Sequence, residues 1–188
     1  MTSPNPSRYR HVEDPELALK YAIERIAGDR VEIIEGVITR VSRTWADENA
    51  IDLIRERIGP RMRELGCRSG SGNLDLPGSE NYYLPDLAVV PAELAAKTEG
   101  PLLPDQTLLV VEVTSPSNGD TDRTVKRRRY GQYGAPLYLL VDRQERTTTL
   151  FSGPGPLGYT DDHGGPQPFG ATLRLPEPWH LGLDTAGF

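Results

Sequence analysis

Two apolar runs separated by a basic segment constrain the fold of this chain more than any other feature. The runs are LLVV at residues 108–111 and LYLLV at residues 137–141, and each is apolar on both faces, as strands at the centre of a sheet are. The segment between them, TDRTVKRRRYGQYG, is interpreted as a basic helix. Strands around one crossover helix, with hairpins before and after, predict an α/β sandwich with a mixed sheet flanked by helices.

The rest of the chain predicts two helices followed by strands. An N-terminal helix is predicted over about 14–27 with Asp14 as its N-cap, and VEIIEGVITRV predicts a hairpin around Glu35-Gly36. A second helix is predicted over TWADENAIDLIRERIGPRMRELG, which Pro60 is expected to kink or split. We expect both ends of the chain to be weakly ordered. Further strands are predicted at residues 82–90, 107–113, 137–142 and 146–152, with a last pair near PLGYT and ATLRL.

Length and composition indicate one domain over residues 1–188, and they bear on DNA binding, disulfide formation and membrane insertion. The net charge of −6 is not that of a dedicated DNA-binding module, so any nucleic-acid contact must come from a local basic patch. Cys67 is the only cysteine, so no internal disulfide is expected. No apolar run approaches the ~20 residues of a membrane span, and the opening MTSPNPSRYRH lacks a signal core, so a cytoplasmic location is expected.

A carboxylate interrupts the first apolar run and needs a compensating partner. Glu112 lies in TLLVVEV, where burial of an unpaired carboxylate is costly. Asp86 follows Pro85, which favours a break or an edge, and two adjacent strands could present Asp86 and Glu112 side by side. Two carboxylates that close repel each other. A divalent cation such as Mg²⁺ or Mn²⁺ removes the conflict because it binds hard oxygen ligands.

A lysine of the basic segment completes a candidate catalytic group. Lys126 lies 14 positions after Glu112, early in the predicted helix and close enough to return over the strand end. A lysine beside a two-carboxylate metal site can orient a water molecule or stabilise charge on a phosphoryl transition state. Asp86, Glu112 and Lys126 therefore match metal-dependent phosphodiester hydrolysis.

The order of these residues resembles that of the Uma-two family, within the PD-(D/E)xK nuclease superfamily. The resemblance covers roughly residues 30–150, and its ordered matches are specific together although each is weak alone. The matching residues are VEIIEG at 31–36, Pro85-Asp86, EVTSPS at 112–117, Asp122, Lys126 and Tyr130 of the helix, and Gly134, Pro136, Tyr138, Val141 and Asp142 of the strand that follows.

The resemblance implies a fold, an activity and a set of site residues. The fold is the restriction endonuclease-like αβββαβ core over about 30–152, with the N-terminal helix before it and a C-terminal hairpin extension after it. The activity is that of a Mg²⁺- or Mn²⁺-dependent endonuclease acting on DNA. Asp86 and Glu112 would be metal ligands, Glu32 would complete the metal shell, and Lys126 would be the catalytic lysine, moved to the following helix.

The chain departs from the family pattern in two places. Thr114 stands where the superfamily's usual lysine would be, two residues after the glutamate, and a threonine carries no positive charge. The second helix lacks the histidine that opens it in many members of the family, since TWADENAIDLI contains none.

Each site residue also has a simpler interpretation, and other functions stay open. Glu112 could be a structural acid paired with an arginine of the basic helix, and Asp86 could be a turn residue after a proline. Lys126 could be solvated surface, and Glu32 could belong to the polar face of a hairpin. One alternative function is a nuclease-fold protein that does not cleave and acts as a binding or assembly module, such as a homodimer. Another is a different metal-dependent hydrolase using the same carboxylate pair.

Overall fold

The computed structural model describes residues 14–23, 30–116 and 118–188. The helices are α1 (Pro15–Ile23), α2 (Trp45–Glu64), α3 (Ala92–Lys97) and α4 (Arg127–Gln132), with a 3₁₀ turn at Pro104–Gln106 and a π-helical turn, Thr121–Lys126, that runs directly into α4. The strands are β1 (Val31–Ile34), β2 (Val37–Arg40), β3 (Cys67–Gly70), β4 (Leu74–Leu76), β5 (Asn81–Tyr83), β6 (Leu87–Pro91), β7 (Leu109–Val113), β8 (Leu137–Asp142), β9 (Thr147–Gly155), β10 (Gly158–Asp161), β11 (Gln167–Pro168), β12 (Thr172–Leu175) and β13 (Leu181–Asp184).

A mixed sheet in the order β10-β9-β8-β7-β6-β3, with β11 added beside β9, forms the centre of the fold. Strands β7 and β8 run parallel, with Val110 opposite Tyr138, and their other neighbours in the sheet run antiparallel. Every residue of these two strands is buried. The two apolar runs are therefore the central strands and the basic segment is their crossover, as predicted.

The two faces of the central sheet pack against different helices. Val111 and Val113 belong to the cluster that also holds the apolar stripe of α2, whereas Val110 belongs to the cluster of Tyr130 and Tyr138. The alternation of side chains along a strand produces this division. The chain order α2, β3, β6, β7, α4, β8 is the αβββαβ core, so the predicted fold class is confirmed.

Helix α2 continues through Pro60, so the predicted split is wrong. A capping box starts the helix, because Asp47 N donates to Thr44 Oγ1 at 3.2 Å and Thr44 N donates to Asp47 Oδ2 at 2.7 Å. Ile54, Ile58 and Met62 are buried on both sides of the proline. Burial of each such side chain contributes roughly 1.5–3 kcal/mol, which offsets the hydrogen bond lost at Pro60, and Pro60 itself lies on the exposed face.

The segment predicted as one strand at residues 82–90 is divided between two sheets. Its first part, β5, belongs to a four-stranded sheet in the order β2-β1-β5-β4, and its second part, β6, belongs to the central sheet. The chain changes sheet at Pro85-Asp86, where a break was expected. Asp86 therefore lies at the junction of the two sheets.

One expectation for the C-terminal part of the chain is confirmed and one is wrong. The strands predicted near PLGYT and ATLRL are present as β10 and β12, which pair with β9 and β13. The C-terminal end is packed rather than weakly ordered, because Leu173, Trp179 and Leu183 join the cluster beneath α2. Contacts that distant in the chain leave no local pattern in the sequence.

At the N-terminal side the predicted elements are confirmed within the described residues. Asp14 Oδ1 accepts the backbone N–H of Glu16 at 2.9 Å at the start of α1, and Glu35-Gly36 turns the β1–β2 hairpin. Residues 24–27 of the predicted helix and Ser117 of the EVTSPS motif lie outside the described residues. Within the described ranges, no helix is both long enough and apolar enough to cross a membrane.

The two tryptophans provide a matched test of the C-terminal packing. Trp179 is fully buried, whereas Trp45 is 92% exposed. We expect Trp179→Ala to lower the free energy of unfolding by about 3–5 kcal/mol, because it leaves a large cavity beneath α2. Trp45→Ala should change it by less than about 0.5 kcal/mol. Urea unfolding followed by circular dichroism measures both values, and equal effects would contradict this packing.

Candidate active site

Four carboxylates and two cations meet where the two sheets join. These six residues come from five separate points of the fold, and most are buried. Glu32 lies on β1, Arg43 between β2 and α2, Asp86 between β5 and β6, Glu112 on β7, and Asp122 and Lys126 on the π-helical turn.

Asp86 and Glu112 lie side by side, as the sequence predicted. Strand register puts Leu87 opposite Val111, which brings the preceding Asp86 next to Glu112. The backbone N–H of Asp86 donates to Glu112 Oε2 at 3.4 Å, and the backbone N–H of Val113 donates to Asp86 Oδ2 at 2.7 Å. Backbone N–H groups at the ends of these adjacent segments therefore hold both carboxylates.

Lys126 is the cation that compensates Glu112. Its Nζ lies 3.1 Å from Glu112 Oε1, 2.9 Å from Glu32 Oε2 and 3.5 Å from Asp122 Oδ1. The lysine is 2% exposed, so it is not solvated surface. Burial alone would lower the pKa of Lys126, but these three carboxylates raise it well above its ordinary value. Lys126 is thus a protonated donor at neutral pH.

Glu112 has a second donor in Tyr130. The Tyr130 hydroxyl, which is fully buried, donates to Glu112 Oε1 at 3.0 Å. An arginine of the basic helix was the simpler partner considered for Glu112, and that interpretation is wrong. Burial raises the pKa of Glu112 well above its ordinary range, and the charge of Lys126 offsets part of this rise.

Glu32 is a member of the site rather than the polar face of a hairpin. Its side chain is buried, and Glu32 Oε2 accepts the backbone N–H of Leu84 at 3.3 Å besides facing Lys126. Glu32 reaches the site because β1 pairs with β5, the strand that leads into Asp86. The hairpin is therefore what brings the early acidic residue to the other two.

Asp122 is buried without a hydrogen-bond partner for either carboxylate oxygen. Its nearest compensation is the ion pair with Lys126, which is the longest of that lysine's three contacts. Burial raises the pKa of Asp122 to about 7. The sequence marked Asp122 only as part of a motif, since nothing in the basic helix pattern indicated that it faces inward.

Arg43 is the one cation of the site that the sequence analysis missed. Its Nε donates to Asp86 Oδ1 at 2.6 Å, and its Nη2 donates to the carbonyls of Pro85 and Asp86 at 3.2 Å each. Arg43 lies in a loop, where an arginine is ordinarily expected to be exposed to solvent. The neighbouring sequence therefore gives no indication of its role. Its role depends on the loop folding back over the junction of the sheets.

Thr114 does not take the place of the usual lysine. Its hydroxyl donates to Asp142 Oδ1 at 3.2 Å and accepts the backbone N–H of Arg143 at 3.1 Å. Arg123 Nε and Nη2 donate to the two oxygens of Asp142 at 2.6 and 2.9 Å. These residues form a separate network that ties the crossover helix to the end of β8.

The donor chemistry of the site fits a divalent cation held by two carboxylates. Asp86 is paired with Arg43, whereas Glu32, Glu112 and Asp122 share Lys126 as their one cation among the described residues. The 3.4 Å contact from Asp86 N is long, so Glu112 Oε2 is weakly satisfied. No three Asp, Glu, His or Cys side chains in the described ranges are grouped so as to hold a metal ion by themselves. Water would have to complete the ligand shell, as is usual for Mg²⁺.

The comparisons with known proteins agree with this fold. The Uma2 family model, described as "Putative restriction endonuclease", matches residues 16–185. The chain belongs to the Uma2 family. Membership of this family, which is the Uma-two family of the sequence resemblance, supports a nuclease function in general and an enzyme acting on nucleic acid.

A solved structure from Anabaena variabilis is similar over most of the chain. Its title describes "a putative nuclease belonging to DUF820", and it matches with a TM-score of 0.59 and 19% identity over 88% of this chain and 94% of that chain. At this identity the likeness supports the fold alone. None of the curated proteins is significantly similar to this Uma2 family chain.

The unpartnered carboxyl of Asp122 predicts a pH dependence of stability. Because its pKa is raised from an ordinary 3.8 to about 7, the folded protein keeps a proton that the unfolded chain has released in this pH range. The folded state binds more protons, so the free energy of unfolding falls as the pH rises from 5 to 8. We expect Asp122→Asn to reduce this fall by about 2 kcal/mol, since a tenfold change in proton affinity is worth about 1.4 kcal/mol.

The measurement is urea unfolding at pH 5 and pH 8. Asp52→Asn is the control, because Asp52 is an exposed acid on α2 paired with Arg55. The control should keep the wild-type dependence, and identical profiles for the two variants would contradict the assignment.

Proposed function

We propose that this protein is a divalent-metal-dependent endonuclease that hydrolyses phosphodiester bonds of DNA. The observation that most directly supports this proposal is that Asp86, Glu112 and Lys126, which lie far apart in the chain, meet at one buried point. In the reaction the oxygen of a water molecule bonds to phosphorus and the bond from phosphorus to one sugar oxygen breaks. The products are a phosphate monoester and a hydroxyl group.

Asp86 and Glu112 would hold the metal ion, and Glu32 would assist them. Mg²⁺ or Mn²⁺, when bound, would supply Lewis-acid polarisation of the phosphoryl oxygen and a more acidic water molecule. The sharing of one lysine among three buried acids, together with the hard oxygen donors of these acids, supports this choice of ion. Arg43 would hold Asp86 in place, since three of its hydrogen bonds go to Asp86 and to the carbonyl before it.

Lys126 would act as a cation and a hydrogen-bond donor, not as a base. Its raised pKa keeps it protonated, and a protonated lysine has three N–H groups and no acceptor. All three groups face carboxylates, and the contact with Asp122 is the longest at 3.5 Å. That N–H is therefore the one most readily given to a water molecule or a phosphoryl oxygen, where positive charge stabilises the transition state.

An endonuclease assay on plasmid DNA tests this proposal. We expect the wild-type protein to convert supercoiled DNA to open and linear forms with Mg²⁺ and to do nothing in EDTA. Asp86→Asn, Glu112→Gln and Lys126→Met should each lower the rate by about 10²-fold or more, because each removes a charge from the reacting centre. Lys97→Met is the matched control, since the side chain of Lys97 is 70% exposed on α3.

Circular dichroism of each variant separates lost chemistry from lost folding. Glu112→Gln preserves the shape of the side chain, so a folded and inactive Glu112→Gln protein is the most informative result. Activity that persists at the wild-type rate in both Glu112→Gln and Lys126→Met would refute the proposal.

The second candidate function is a nuclease-fold binding or assembly module that does not cleave. It is favoured by the closure of the site, since Lys126 Nζ lies within 3.5 Å of three carboxylates and the Thr114 hydroxyl donates to Asp142. Titration calorimetry with Mg²⁺ and Mn²⁺ separates the two functions. A folded protein that binds neither ion supports the module, and light scattering then tests whether it is a homodimer. Hydrolysis of nucleotides but not of DNA would instead support another metal-dependent hydrolase.

A further inference from the structure

Two arginine side chains meet at one hydroxyl group beside Asp86. Arg30 Nη2 donates to Ser71 Oγ at 2.7 Å, and Arg43 Nη2 donates to the same oxygen at 3.1 Å. The Ser71 hydroxyl itself donates to the carbonyl of Pro85 at 2.7 Å, directly before Asp86. The Arg30–Ser71–Arg43 group therefore links the segments that precede β1, α2 and β6 to the end of β3.

The positive charge of this group is only partly compensated. Arg43 faces the carboxylates of Asp86 and Glu48, but no carboxylate in the described parts of the chain lies within 4.0 Å of the Arg30 guanidinium. Burial, and then the charge of Arg43, lower the pKa of Arg30. Two like charges directed at one neutral oxygen repel each other, and an anion at the same point would remove that cost.

Arg30 has the donors that such an anion needs. A guanidinium carries five N–H groups, and toward the described residues the side chain of Arg30 uses one of them, for Ser71. Arg30 is exposed, whereas Arg43 is largely buried against the acids of the site. A ligand arriving from solvent would meet Arg30 first, with its orientation set by Ser71.

Three arginines of the basic segment already face carboxylates. Arg129 donates to both oxygens of Glu35 at 2.7 Å, and Arg123 donates to both oxygens of Asp142. Arg128 Nη2 lies 3.8 Å from Glu35, and the Arg127 guanidinium lies 5.1 Å from the centre of the Phe151 ring. The positive charge of this run is thus partly neutralised, whereas Arg30 lies beside the arginine that holds Asp86.

We propose that Arg30 binds a backbone phosphate of the DNA strand next to the bond that is cleaved. Ser71 and Arg43 act as positioning residues for its guanidinium. An arginine fork matches the planar pair of nonbridging oxygens of a phosphodiester, which a lysine would not. The choice of a DNA phosphate as the anion rests on the proposed function. The arrangement of Arg30, Ser71 and Arg43 is observed whatever the function is. Because Arg43 also holds Asp86, the phosphate contact and the metal-binding carboxylate share one support.

The test measures DNA binding without cleavage. Fluorescence anisotropy of a labelled 20-base-pair duplex in EDTA gives the binding constant of the full chain between 50 and 300 mM KCl. We expect Arg30→Gln to weaken binding about 5- to 10-fold and to reduce the slope of log K against log salt by about 0.9, the value for one phosphate contact. Ser71→Ala keeps the charge of Arg30 but removes the hydroxyl group that positions its guanidinium. This substitution should weaken binding about 2- to 3-fold with the slope nearly unchanged.

Arg174→Gln is the matched control, because Arg174 is an exposed arginine on β12 and the substitution removes the same charge. It should leave the affinity and the slope as in the wild-type protein. Equal losses for Arg30→Gln and Arg174→Gln, an unchanged slope for Arg30→Gln, or no binding by the wild-type protein would each overturn the inference.

The cleavage assay separates this inference from the proposed function. If the wild-type protein binds DNA but does not cleave it, and Arg30→Gln still reduces the slope, the contact of Arg30 with a backbone phosphate stands and the endonuclease proposal fails. If the protein cleaves DNA and Arg30→Gln changes neither KM nor the salt slope, the endonuclease proposal stands and the inference fails. A rise in KM with little change in kcat supports both, since a contact made equally in ground and transition states affects binding alone.

Discussion

The buried pair of Glu112 and Lys126 is the interaction on which the rest of the structure depends. A carboxylate in the middle of a central strand would be strongly destabilising without a partner, and Lys126 supplies it at 3.1 Å. The partner comes from the crossover between β7 and β8, so the connection must return over the sheet for the strand to be buried at all. The central strands are therefore stable only when the crossover packs on the sheet and brings Lys126 to Glu112.

The change of sheet at Pro85-Asp86 turns that pair into a site. Because β5 and β6 belong to different sheets, the link between them delivers Asp86 to Glu112 from one side while β1 delivers Glu32 from the other. Arg43 then closes over Asp86 from the loop before α2. The site is assembled from the ends of elements, where the regular hydrogen bonding of strands and helices leaves polar groups free to face one another.

The excess of acids makes the site costly in the absence of a positive ligand. Burial raises the pKa of both Glu112 and Asp122, and Asp122 has no hydrogen bond to its carboxylate. Groups arranged for the benefit of the fold alone would be paired more evenly. Arg30 and Arg43 lie together despite their like charge because Asp86 and Glu48 attract both guanidinium groups.

The local pattern of the sequence determined the elements and their residues: the central strands, the crossover between them, the break at Pro85 and the inward face of Glu112. These features follow from the alternation of side chains along a strand and from the apolar content of short segments. Both depend only on residues that are close together in the chain. The order of Asp86, Glu112 and Lys126 also indicated the family. Only the tertiary structure decided that Pro60 would leave α2 unbroken, that Trp179 would be buried beneath it, and that Arg43 would pair with Asp86. Those outcomes depend on contacts between residues far apart in the chain, and the free energy of such contacts is set by the fold as a whole.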